Sequence, residues 1–231
     1  MRAAREGRRA PNLSLELALC RAGFVSLAGL DEAGRGAWAG PLVAAAVVLP
    51  LGQMDLTQVL FGVRDSKQMR PGQREHWEQR IREVALAAAT GVASAAEVDE
   101  RGPLGATRLA MQRALQDLPA LPAALLIDHL RLPEVELPQT ALPGGDARVL
   151  SIAAASVVAK VTRDRLMVEL AQDYPGYDFE QHKGYGTARH RGALRRLGPC
   201  PIHRFSYSPV AALVASPAPS AFAHRLGRMP A

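Results

Sequence analysis

The chain has 231 residues, 48% hydrophobic and 22% charged, with aromatics at only 5%, which suits one sizeable globular domain whose core is mostly Ala, Val and Leu. Lys and Arg number 28 against 22 Asp and Glu, a net charge of +6 with a pI near 9.9, and this favours a polyanionic partner such as nucleic acid without demanding one. No apolar run approaches the ~20 uninterrupted residues of a membrane span, so a spanning helix is excluded and a cytoplasmic protein is expected.

The opening MRAAREGRRAPN is Arg-rich and lacks the apolar core of a secretory signal, so residues 1–23 are expected to be a flexible basic segment able to graze phosphates. Residues 24–214 read as the folded domain. Phe24 to Leu30 and Leu42 to Leu49 are short apolar runs bounded by Gly and Pro, and predict two buried strands joined through DEAGRG. Pro71 to Ala89 predicts a helix, with Trp77, Ile81, Val84 and Ala88 at helical spacing. Gly91 to Val98 predicts a strand, Leu104 to Leu118 a helix stopped by Pro119 and Pro122, and Ala123 to Ile127 a strand entering Asp128. A polar, Pro-rich connection over Glu134 to Pro143 leads to Gly144-Gly145 and Asp146. Ser151 to Ala171 predicts a long helix, apolar nearly all round in its first part, and His182 to Arg196 a loop followed by a further helix. The tail at 215–231 carries little pattern and is expected to be disordered. Cys20 and Cys200 lack metal-knuckle or redox spacing and are expected to be reduced thiols. The alternation of strands and helices predicts an α/β domain with a mixed central sheet.

Four acids fall where strands end or turn into helices: Asp31, Glu32, Asp128 and Asp146. A single acid there is ordinarily a solvated turn residue. Four together would repel one another and raise their own pKa values, so a cluster of this kind implies a divalent cation. All-oxygen ligands favour Mg²⁺ or Mn²⁺ over Zn²⁺, and two such ions about 4 Å apart support in-line phosphoryl displacement. Neighbouring strand residues point to opposite faces, so Asp31 and Glu32 share a site only where the strand ends or bulges, and the glycines behind them allow that bend. The Gly34-Arg35-Gly36 run also lets backbone approach a ligand closely.

DEAGRGAWAGP, the DSK of Asp65 to Lys67, GGDARVLSIAAASVVAKVTRD from Gly144, HKGYGTARH from His182 and GPCPIHRFSYSPV from Gly198 together resemble bacterial ribonuclease HII, the type 2 ribonuclease H, over Leu27 to Val210. The resemblance implies a ribonuclease H-like fold with a C-terminal helical extension. It also implies an endonuclease that cuts RNA in RNA/DNA hybrids and nicks 5′ of single ribonucleotides in duplex DNA, leaving 3′-hydroxyl and 5′-phosphate ends. By motif, Asp31, Glu32, Asp128 and Asp146 correspond to the family's metal-binding, catalytic acids. Gly34, Arg35, Gly36 and Tyr185 correspond to its reader of the RNA-to-DNA junction, with Lys67 and Lys183 as further substrate contacts. Backbone groups at 34–36 would touch the 2′-hydroxyl that separates RNA from DNA, and Tyr185 would stack on the next, deoxy sugar. Lys160, on an apolar helix, either neutralises the acids or snorkels; His203 and Arg204 are expected to be structural or phosphate-side groups.

The sequence departs from the family at Ala37-Trp38, where Pro-Leu is usual, with an expected effect on local packing. It departs again at His129, where a glycine usually follows the acid. The imidazole there adjusts the site, accepts a proton or points outward. A hybrid-binding protein without catalysis is disfavoured, because binding phosphates alone would gain from losing four negative charges. Ribonuclease HIII, which carries an extra N-terminal domain, is disfavoured because only about 26 residues precede the first strand. A monomer with no membrane association is expected.

Overall fold

The computed structural model describes residues 10–215; the expectations for residues 1–9 and 216–231 lie outside the described residues. Five strands form one mixed sheet: β1 (Leu27–Ala33), β2 (Leu42–Val48), β3 (Ala87–Ala93), β4 (Ala124–Asp128) and β5 (Gln139–Leu142), in the order β3-β2-β1-β4-β5. β1, β2 and β3 pair antiparallel, whereas β4 runs parallel to both β1 and β5. Leu42, Ala44, Ala46 and Val48 of β2 enter one hydrophobic cluster and Ala45 and Val47 another. A strand covered on both faces reads as a continuous apolar run, and LVAAAVV is one.

The helices are α1 (Ser14–Arg21), α2 (Leu56–Val59), α3 (Pro71–Val84), α4 (Ala95–Gln116), α5 (Leu150–Asp173), α6 (Phe179–His182), α7 (Ala188–Leu197) and α8 (Ser208–Ala215). α4 covers one face through Ala106, Ala110, Met111 and Ala114. α5 covers the other with α3, through Ala153, Ala154, Val157, Val158 and Ile81. The approach of α5 to β1 requires glycine at position 29, where a Cβ would stand 2.2 Å from the Ser151 carbonyl carbon. That contact sets the helix directly beside the strand that carries Asp31. The C-terminal part packs Tyr177, Phe179, Leu194 and Val210 against Met167 of α5 and Ala39. The α/β reading with a mixed sheet and a helical C-terminal part therefore describes the molecule.

Several boundaries differ from expectation. β1 continues through Asp31 and Glu32 to Ala33, because both acids stay in register with Ala45 and Ala44 of β2. The helix expected to reach Ala89 stops at Val84, and residues 87–93 pair with β2 along its length. The predicted strand at 91–98 ends at Ala93, where Ser94 and Glu97 form a reciprocal capping box that starts α4. Gly102, at φ 68, and Pro103 break α4, which is why only its second half carried a clean helical pattern. β5 lies inside the stretch expected to be a plain connection.

The flexible segment expected at 1–23 is corrected for 14–21, which form α1. Its Leu15 and Leu19 pack on Leu27, Leu126 and Ile152. Glu16 is fully buried and accepts from Ser151 N–H at 2.9 Å. This supplies the acceptor that Val149, the residue capping α5, cannot offer.

Candidate active site

The pairing of β1 with β4 sets Leu30 against Ile127, and one further step brings Asp31 of β1 level with Asp128, the last residue of the parallel β4. Leu30 and Ile127 face α4, so by strand alternation both acids face α5. Asp128 Oδ1 accepts from Gly145 N–H at 2.7 Å, which ties the strand end to the turn before α5 and delivers Asp146 to the same corner. Asp31, Asp128 and Asp146 are all buried. Glu32 follows directly and is joined to Arg35 at 3.3 Å. The Lys67 ammonium stands 3.7 Å from Asp146 Oδ2, held by a short turn whose N-cap is Asp65.

Burial, with repulsion from Glu32 and Asp128, pushes the Asp31 carboxyl well above the usual range, against the hydrogen bond that its Oδ1 accepts from Glu32 N–H at 2.7 Å. Glu32 is raised by burial and by Asp128, although Arg35 and Lys67 oppose this. Asp146 is raised by burial and by Asp65 and Asp128, with Lys67 opposing. For Lys67, burial acts to lower the pKa, but Asp31, Asp65, Asp146 and Glu32 more than offset it and the net shift is upward. Asp65 is thus a fifth acid acting on the site. It stood in the quoted DSK but gave no sign of its part.

Asp31 Oδ2 and Glu32 Oε2 are buried without a hydrogen-bond partner, and an unpartnered buried carboxylate oxygen is costly without a cation beside it. The donor set, all carboxylate oxygen, fits a hard divalent ion. Among the described residues no three such side chains already surround a common point, since Glu32 is turned to Arg35, Asp128 to Gly145 and Asp146 to Lys67. His129 takes a left-handed backbone, φ 65, which accounts for a glycine being the easier residue there. Its side chain is 55% exposed, with Nδ1 3.5 Å from Asp128 Oδ2.

Next to the acids, the 34–41 loop is clamped by two arginines that sequence reasoning did not select for this task. Arg204 donates to the carbonyls of Gly34 at 2.7 Å, Arg35 at 3.0 Å and Gly40 at 2.9 and 3.1 Å. Arg163 donates to Pro41 at 2.8 Å, Ala39 at 3.2 Å and Lys183 at 2.9 Å. Both side chains are fully buried, and among the described residues neither has a carboxylate partner. Burial lowers the pKa of Arg163 to about 10 and also lowers that of Arg204. Arg204 and His203 are therefore interior groups, and the phosphate-side alternative is excluded. At Gly34, φ is 94 and a Cβ would stand 1.9 Å from Arg163 Nε, so only glycine fits.

The loop is joined to the Tyr185 segment by Trp38 N–H donating to the Gly184 carbonyl at 2.9 Å. Trp38 packs on Gly186, where a Cβ would meet its ring at 2.1 Å, so the Ala37-Trp38 departure is taken up in packing. Tyr185 is half-buried, with Arg163 Cζ 5.2 Å and Lys160 Nζ 5.4 Å from its ring centre. Lys160 pairs with Asp164 at 2.6 Å, so its cation is directed to the Tyr185 side. Lys183 turns its ammonium back to the Glu180 carbonyl, away from the acids. Lys160, Asp164, Arg165, Lys183 and Tyr185 line a cavity of about 530 Å³.

Residues 28–210 match the protein family Ribonuclease HII. A ribonuclease HII of Chloroflexus aurantiacus is 54% identical over 200 residues, which cover 87% of this chain and 94% of that protein. A ribonuclease HII of Thermus thermophilus is 53% identical over 197 residues, covering 85% and 93%. The crystal structure of ribonuclease H2 from Pyrococcus horikoshii superposes with a TM-score of 0.68 at 28% identity, over 82% of this chain and 97% of that one.

Proposed function

The chain belongs to the ribonuclease HII family and is a nuclease, and from that premise we propose that it nicks duplex DNA on the 5′ side of single embedded ribonucleotides as well as cutting the RNA strand of hybrids. In this reading Asp31, Glu32, Asp128 and Asp146 hold Mg²⁺ or Mn²⁺. When bound, such ions supply Lewis-acid charge at the phosphoryl centre and support a two-metal hydrolysis that leaves 3′-hydroxyl and 5′-phosphate ends. The observation that carries the reading is the meeting of Asp31 in β1 with Asp128 at the end of the adjacent β4, with Asp31 Oδ2 and Glu32 Oε2 buried and unpartnered.

The chain's own groups then divide the work. Lys67, extended over Asp146, meets a phosphate oxygen and keeps the acids ionised. Arg204 turns the Gly34 and Arg35 carbonyls inward, and the Arg35 and Gly36 N–H groups, without hydrogen-bond partners among the described residues, face the ribose. An N–H donor satisfies the 2′-hydroxyl oxygen, which a deoxyribose does not offer. Tyr185 packs its ring on the following sugar, where a second 2′-hydroxyl would obstruct it, so the pair reads a junction.

The test is a labelled duplex carrying one ribonucleotide, incubated with Mg²⁺ or Mn²⁺ beside the Asp128→Asn variant. A 5′ nick that is absent in the variant supports the reading. Cleavage of long hybrids alone removes junction reading, and folded protein that cuts neither substrate removes the catalytic site.

A further inference from the structure

Beneath Tyr185 lies a buried row of imidazoles that the chemistry above does not use. His182, His190 and His203 are 8%, 0% and 1% exposed, and the first two rings stack at 4.5 Å. Their hydrogen bonds admit one neutral arrangement. His182 Nε2 lies 2.8 Å from the Tyr177 carbonyl and therefore carries the proton, while its bare Nδ1 accepts from Gly184 N–H at 3.2 Å. His190 Nδ1 lies 3.1 Å from the Tyr185 carbonyl and must donate. Its bare Nε2 then accepts from His203 Nε2–H at 3.1 Å. His203 Nδ1 is left bare and accepts from Cys200 N–H at 2.9 Å, with Cys200 Sγ at 3.1 Å. A carbonyl only accepts, so the Tyr185 carbonyl fixes the His190 proton on Nδ1, and the bare Nε2 in turn calls for Nε2–H at His203, whose Nδ1 also lies 3.2 Å from the Cys200 carbonyl.

These bonds converge on one dipeptide. Gly184 N–H goes to His182, the Gly184 carbonyl to Trp38, Tyr185 N–H to the His182 carbonyl at 2.9 Å, and the Tyr185 carbonyl to His190. The segment needs such support, because Lys183 at φ 52 and Gly184 at φ 78 both occupy the left-handed region.

We infer that His182 and His190 are positioning residues for Tyr185: in the tautomers that the Tyr177 carbonyl sets at His182 and His203 Nε2–H sets at His190, they lock the backbone on both sides of Tyr185 and so aim the ring that discriminates the ribose–deoxyribose junction. The inference rests on the junction-reading role proposed above. Burial acts in the same direction, lowering His182 and taking His190 and His203 to about 4. The charged groups facing the row are Asp178 and Glu180, which raise His182, Arg189, which lowers it, and the buried Arg163 and Arg204. Burial raises Cys200 and takes Tyr177 up to about 12, so neither ionises in the acid range. Since the histidines are depressed below their ordinary 6.5, the lock is complete above that pH and is lost as pH falls toward 4.

The experiment has two arms. In the full chain above neutral pH, long-range ¹H–¹⁵N spectra read the tautomers directly: His182 and His203 protonated on Nε2, His190 on Nδ1. The second arm compares kcat/KM for a single-ribonucleotide duplex and for an all-RNA/DNA hybrid in wild type, His190→Asn and His190→Gln. The Asn amide replaces the Nδ1 donor, whereas the Gln amide reaches only the Nε2 position. The junction-to-hybrid ratio should fall about tenfold or more in the Gln variant and stay within about threefold in the Asn variant. His190 protonated on Nε2, or a Gln variant with an unchanged ratio, overturns the inference. A wild type without junction preference is a separate outcome: it removes the junction reading itself and the specificity role with it.

Discussion

The Lys67 ammonium stands 3.7 Å from Asp146 Oδ2, and the same cation lowers the pKa of both Asp146 and Glu32. Lys67→Ala therefore removes the proposed phosphate contact and a brake on protonation together. The acid limb of the pH–rate profile should move to higher pH, and kcat/KM should fall about 10- to 100-fold. Lys67→Arg should restore the limb. A profile unchanged in the Ala variant would place Lys67 outside the site.

The acids give the metal-free protein a definite pH signature. Asp31, Glu32 and Asp146 are raised on folding, so their contribution to stability is full below the unfolded carboxyl pKa and is lost as pH rises through the folded values. At neutral pH, Mg²⁺ should relieve this, raising stability by about 2.7 kcal/mol at a hundredfold excess over its Kd. The Tm difference between Mg²⁺ and chelator should shrink as pH falls toward 4 and should be largely absent in Asp31→Asn. Equal shifts at both pH values would show the ion binding elsewhere.

Gly34→Ala meets two obstacles, a positive φ and Arg163 Nε at 1.9 Å from the new Cβ. The loop must move, at a cost of about 1–3 kcal/mol. Cleavage at single ribonucleotides should fall further than cleavage of long hybrids, and denaturant melts measure the stability part. Gly36 has no atom near its Cβ position, so Gly36→Ala should be the milder change to the fold.

Glu16 separates the need for an acceptor from the need for a charge. Glu16→Ala leaves the buried Ser151 N–H unpaired and should cost about 1–3 kcal/mol. Glu16→Gln keeps an acceptor and removes a carboxyl whose pKa burial has raised. At neutral pH it should match or slightly exceed wild type in a thermal melt. Equal losses in both variants would show that the charge at the start of α5 matters more than its burial.

The sheet and the acids were legible because their signals are local. LVAAAVV announces a strand covered on both faces, and an acid directly after ALLI announces a strand end. β3 was partly misread because its Ala-rich stretch has no period of its own and becomes a strand only by pairing with β2. α1 was missed because its reason for folding is remote: Glu16 bonds to Ser151 and Leu19 packs near Ile152. Arg163 was silent, since an arginine that bonds only carbonyls looks in sequence like any surface cation, whereas Arg204 was read as structural or phosphate-side and is the former. Lys183 was named as a substrate contact by motif; in the fold its ammonium turns to the Glu180 carbonyl and its own carbonyl accepts from Arg163.

The grip on Gly34 comes from Arg204, 170 residues further along the chain. During synthesis the 34–36 loop therefore remains unfastened after its own strand pair has formed, until residue 204 has left the ribosome. A growing chain thus carries Asp31 and Glu32 before it holds the 34–36 backbone in the shape proposed to tell ribose from deoxyribose.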